Sequence, residues 1–121
     1  MLKWLRLVSG YVGFAKYRVK PGPELSSRTL QFVEILFVPG DQLFVSNTLI
    51  SRCGFNLPGT RYSDEKHIER IRCSVLKLSD GSLAALLEAV DLAQVDVRDV
   101  FMNAGFTSPT DHEHWLPSKK L

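Results

Sequence analysis

Apolar and polar positions change their period partway along the chain. Tyr11, Gly13, Ala15, Tyr17 and Val19 alternate with Val12, Phe14, Lys16 and Arg18, the two-residue period of a strand, after a lead-in at 2–8 that suits a short helix. Pro21-Gly22-Pro23 then breaks the chain. Leu30–Val38 (LQFVEILFV) is rich in β-branched and aromatic residues and carries one charge, Glu34. Pro39-Gly40-Asp41-Gln42 follows, and then Leu43-Phe44-Val45. Two apolar runs about a Pro-Gly-Asp turn predict a β-hairpin. A helix started by Ser26 or Ser27 is the competing reading, because periodicity does not separate the two over so short a run. Composition favours the strand.

The second half reads as helix. Ser63-Asp64-Glu65 supplies a cap and acids for a first turn. From there Ile68, Ile71, Val75 and Leu78 fall on one face at about 100° per residue. Ser79-Asp80-Gly81-Ser82 ends that helix, and Ser82 caps the next, whose stripe is Leu83, Leu86, Leu87 and Val90. Asp96 caps a third helix with Val97, Val100, Phe101 and Ala104 inward, closed by Gly105 at C′. The expected fold is therefore α+β. A small antiparallel sheet from about 11–19, 30–38 and 42–46 packs on an antiparallel unit of helices near 63–79, 82–93 and 96–104. The expected core holds Phe32, Leu36, Val45, Ile68, Ile71, Val75, Leu83, Leu86, Val90, Val100 and Phe101, with Leu92 and Met102 pointing outward.

Length and composition bound the rest. The 121 residues make a single domain, with 1–60 mainly strands and loops, 61–105 helical and 106–121 an irregular tail. Apolar residues at 45% and charged residues at 23% exclude a wholly disordered chain. The net charge of +2 excludes a strongly basic nucleic-acid coat. It is unevenly shared, however. Residues 1–78 hold twelve Lys or Arg and six Asp or Glu, whereas 79–121 hold three and seven. Such opposed potentials favour a polar partner or head-to-tail self-association. No apolar run approaches the roughly 18 residues that span a bilayer, and Arg6 interrupts any signal-peptide core. No membrane association is expected, and the localisation expected is cytoplasmic.

Glu69-Arg70-Ile71-Arg72, Leu76-Lys77-Leu78-Ser79, Leu87-Glu88-Ala89-Val90, Arg98-Asp99-Val100 and Ala104-Gly105-Phe106 together resemble a helical segment of small, uncharacterised bacterial proteins. The resemblance covers about a third of the chain, from 68 to 106. It implies a bacterial cytosolic helical unit and no particular chemistry.

Candidate chemistry is sparse. On the helical wheel Cys73 lies opposite the Ile68/Ile71/Val75/Leu78 face, in a stripe with Lys66, Arg70 and Lys77. Nearby cations favour a thiolate, so Cys73 is the reactive-thiol candidate, expected to be exposed and to react faster than Cys53. A Cys53–Cys73 bridge needs geometry to decide. His112 and His114 share a face only in extended chain, and lack a third ligand at a characteristic spacing. They are weak metal candidates in what otherwise reads as a solvated tail anchored by Trp115. Gly54–Thr60 has the outer spacing of a phosphate loop without its Lys. No catalytic set, cofactor or small-molecule substrate is identified. The expected function is a non-catalytic one: binding a protein partner or a second copy of the chain. The alternative is a nucleic-acid-binding module on the basic, aromatic N-terminal half, using Lys16, Arg18, Lys20 and Arg28 with Tyr11, Phe14 and Tyr17; the stripe of Lys66, Arg70 and Lys77 is a further set of candidate binding residues.

Overall fold

A computed structural model of the chain describes residues 22–58 and 65–118. Within them the chain forms five helices: α1 (Ser27–Leu36), α2 (Pro39–Arg52), α3 (Glu65–Ser79), α4 (Leu83–Val95) and α5 (Val97–Ala104). A 3₁₀ turn, Asp111–His114, follows. No strand occurs among the described residues, so the fold is all-α and the expected α+β class is wrong. The proposed strand at 11–19, with Lys16, Arg18 and Lys20, lies outside the described residues.

The misread region is 27–52. Ser26 Oγ accepts the Thr29 N–H at 3.1 Å, so α1 has the side-chain cap that starts a helix. Thr29, Phe32 and Val33 are buried and Leu36 half-buried, which is helical spacing. The supposed hairpin turn is instead a helix start. Pro39 occupies the first turn of α2, where its missing N–H is not needed, and Val38 makes the corner in extended backbone. Val45, Thr48 and Leu49 then face inward. A nine-residue apolar window hides this spacing, and only a window spanning both helices reveals it.

Ser63 and Asp64, the expected cap of α3, lie outside the described residues; the other expected caps of the helical half are present. Ser82 Oγ accepts the Ala85 N–H at 3.2 Å, and Asp96 Oδ1 accepts the Arg98 N–H at 2.9 Å. Gly105 closes α5 at φ 79°, the left-handed conformation that favours glycine. α3 is the axis of the molecule, packed against α1, α4, α5 and the 3₁₀ turn. Ile68, Ile71, Cys73, Val75 and Leu76 are all buried on it, on more than one face. α2 packs on α1 and α4. Of the expected core, Leu36 and Leu83 are half-buried at its edge and the others are buried. Leu92, expected to point outward, packs against the core because α4 meets α2, α3 and α5 together; Met102 is exposed.

Residues 106–118 are not a solvated tail. Phe106 and His112 are buried, and Trp115 sets its ring edgewise to Phe32 at 5.1 Å and to Phe106 at 6.0 Å. The segment hooks back across α1 and α3.

Leu86 is fully buried. Leu86→Ala should therefore lower the unfolding free energy by about 2–5 kcal/mol in a urea titration. A loss below about 1 kcal/mol would place the side chain at the surface.

Candidate functional site

Three arginines hold the chain segments to one another, and none of them does so through a carboxylate. Arg72 is 3% exposed. It donates Nε to the Cys53 carbonyl at 2.9 Å and Nη1 to the Glu24 carbonyl at 3.4 Å, tying α3 to the end of α2 and to the approach to α1. Beside it Gly22 and Gly54 cross so closely that a Cβ on Gly54 would lie 2.7 Å from Gly22 Cα. Arg28, on α1, donates Nη2 to the carbonyls of His112, Glu113 and Trp115 at 2.9, 3.1 and 2.9 Å, and its guanidinium covers the Phe32 ring. Arg70 stacks 3.7 Å over Phe101 and donates Nη2 to the Phe106 carbonyl at 2.7 Å. A carbonyl has lone pairs but no full charge, so these bonds orient strands of backbone without neutralising the cation. Burial accordingly pulls the pKa of Arg72 and Arg70 down; Glu69 and Glu65 oppose this at Arg72, and Asp111 opposes it at Arg70.

The expected basic stripe is thus divided. Arg70 is half-buried and Lys77 Nζ sits 4.6 Å over the Phe106 ring, while Lys66 alone of the three is fully exposed. Arg28, expected as a nucleic-acid contact on a sheet, is instead a tie between α1 and the backbone of 112–115, and Arg72 was not among the expected site residues. For Arg72 a signal was present: it lies one turn after Ile68, on the apolar face itself, where a cation must find buried acceptors.

Cys73 corrects a further expectation. It is fully buried, and burial, reinforced by the Glu69 charge, pushes its thiol up to about 12 against the weaker pull of Arg28 and a hydrogen bond with Thr29. The physical reason is the helicity of 27–36, because α1 covers the face of α3 that an amphipathic reading leaves to solvent. Cys53 is likewise buried and pushed up to about 12, chiefly by burial. Both thiols are free.

The histidine pair is separated as well. The 3₁₀ turn directs His112 inward, 2% exposed and edge-on to Phe106 at 6.5 Å, and leaves His114 exposed. Among the described residues no three His, Cys, Asp or Glu side chains converge as a metal would require. Burial lowers the His112 pKa, more than Glu113 and Glu69 raise it.

What the helices do bring together is an apolar corner. A cleft of about 440 Å³ opens where α1 meets α2, walled by Ile35, Leu36, Phe37, Val38 and Pro39 and bordered by Glu34 and Asp80. Among the described residues no lysine or arginine lines it. Val38 is 64% exposed, and Leu43 and Phe44, on the first turns of α2, are 72% and 50% exposed. The strand reading hid this corner, since it assigned these side chains to a sheet. Among the described residues no helix is long and apolar enough to cross a membrane. Compared with protein-family models, curated proteins and solved structures, the chain finds no match.

Two outcomes follow from burial. Neither cysteine should react with a thiol reagent in the native protein, and both should react at once in denaturant, as read by absorbance of the released chromophore. His112 binds a proton less readily folded than unfolded, so stability is full above about pH 6.5 and falls as the pH drops through that value. His112→Phe should flatten this part of the pH–stability curve, measured by urea titration from neutral to mildly acid pH.

Proposed function

We propose that the protein acts without catalysing a reaction, through a macromolecular interface at the α1–α2 corner, and that the occupant of this corner is a second copy of the chain. The observation that carries the reading is an apolar cleft with exposed Val38 on its wall, together with the exposure of Leu43 and Phe44 on the first turns of α2. Large apolar side chains gathered at one place lose free energy when a partner covers them.

Charge supports the choice of occupant. The described residues carry seven Lys or Arg and twelve Asp or Glu, and the cleft is bordered by acids. Residues 1–20 carry Lys3, Arg6, Lys16, Arg18 and Lys20 and no acid, among Trp4, Tyr11, Phe14 and Tyr17. The aromatic and basic composition of this segment is what another copy's acid-bordered apolar corner would select. The buried, protonated state of both thiols also fits a non-catalytic role.

Sedimentation equilibrium of the full chain tests this. The wild type should be dimeric or larger at high micromolar concentration and only modestly sensitive to salt, because apolar burial supplies the affinity. Leu43→Asp with Phe44→Asp should give a monomer of unchanged circular dichroism, and Lys16→Glu, Arg18→Glu and Lys20→Glu together should weaken association. A monomeric wild type, or an oligomer indifferent to the Leu43 and Phe44 changes, overturns the proposal. Oligonucleotide binding that collapses with salt, in a protein that stays monomeric, would replace it with the nucleic-acid reading.

A further inference from the structure

Most of the positive charge on the helical body has a structural task. Arg28 and Arg72 donate to backbone carbonyls. Arg52 pairs with Asp91 at 2.8 Å and Arg98 with Asp96 at 3.3 Å. Lys77 rests on Phe106. Two cations nevertheless face a common cleft, one turn apart on α3, and the second of them, Arg70, is also held by Phe101. Lys66 is exposed and has no ion pair or ring contact among the described residues. Arg70 spends one Nη on the Phe106 carbonyl.

Both line one cleft. It holds about 310 Å³ between α3 and the C-terminal hook, and its other walls are His67, Pro109, Thr110 and Glu113. Phe101 props this wall in place, stacking Arg70 at 3.7 Å and taking the His67 ring edgewise at 5.8 Å. The guanidinium is thus fixed before any ligand arrives, so little side-chain entropy is lost on binding. Thr110 and His67 add polar groups around the same space. The volume lies at the small end of ligand pockets, about 300–1,000 Å³.

We propose that this cleft is a binding site for the phosphate group of a small phosphate monoester. A tetrahedral oxyanion offers several strong acceptors at once, which suits a fixed guanidinium and an ammonium converging from one helix face. Lys66 and Arg70 supply the attraction from the cleft wall. The Glu113 carboxylate on the opposite wall opposes an anion and so limits affinity. This site is independent of the α1–α2 corner.

Inorganic phosphate is the probe, titrated into the isotopically labelled full chain and followed by amide NMR shifts, with chloride at matched ionic strength as control. Phosphate should shift the amides of 66–70 and 110–113 in a saturable way, whereas chloride should not. Lys66→Ala should weaken binding about tenfold, the value of one charge-assisted hydrogen bond. Glu113→Gln should tighten it, a change of opposite sign that general charge screening does not produce. Both side chains are exposed, so neither variant threatens the fold. Equal shifts with chloride, or affinities unmoved by both substitutions, overturn the proposal. So does an oligothymidylate that binds these residues where phosphate does not, because the anion would then be a nucleic-acid backbone.

Discussion

A buried guanidinium with only backbone carbonyls to bond is the constraint around which this molecule is arranged. Arg72 sits within the central helix, and taking its charge out of water is costly unless several acceptors reach it. Cys53 and Glu24 supply carbonyls, and Glu65 and Glu69 supply the compensating field. To deliver them, the end of α2 and the approach to α1 must come together at one point on α3. The Gly22–Gly54 crossing, too tight for any side chain, is the steric condition for that meeting. The placement of the first two helices follows from it.

The same device recurs on the other side of the axis. Arg28 gathers three carbonyls of the hook, and Arg70 gathers one at its start. Phe32, Phe106 and Trp115 then close over the joint with their ring edges. A hook held by backbone acceptors tolerates changes in its own side chains, since a carbonyl is present whatever the residue. That leaves the outward side chains of 108–114 available for a ligand while their backbone remains anchored. The cleft between α3 and the hook is a by-product of this anchoring, and the positive charge within it is what the stitches leave over.

At the opposite corner the constraint is turn geometry. Val38 in extended backbone and Pro39 on the first turn bend the chain sharply between α1 and α2. With Val45 and Leu49 turned inward, the helical period turns Leu43 outward and Phe44 to the flank. Exposure of apolar side chains here is a geometric consequence of helix phase, and a partner surface is what makes it favourable. The chain's polarity is divided to match, with cations concentrated before Gly22 and acids over the helical body.

Caps and stops were legible in the amino-acid sequence alone. Ser82, Asp96 and Gly105 mark their boundaries through hydrogen bonds and dihedral angles confined to a few neighbouring residues, and such local bonds form wherever those residues occur. The apolar stripes of α3 to α5 were legible from their helical period, although not the further faces that α3 and α4 also bury. Whether 30–38 became helix or strand was not, because a short apolar run suits either until Ser26 caps it and α3 receives its buried face. The burial of Cys73 depended on that outcome, and Arg70 and His112 depended on other distant contacts. Each lies on a surface that is polar or exposed by local pattern, and each is covered by an element distant in sequence. Local hydrogen bonding determined where helices begin and end. Tertiary packing decided which of their faces meet water, because burial is set by what lies against a face and not by the face itself.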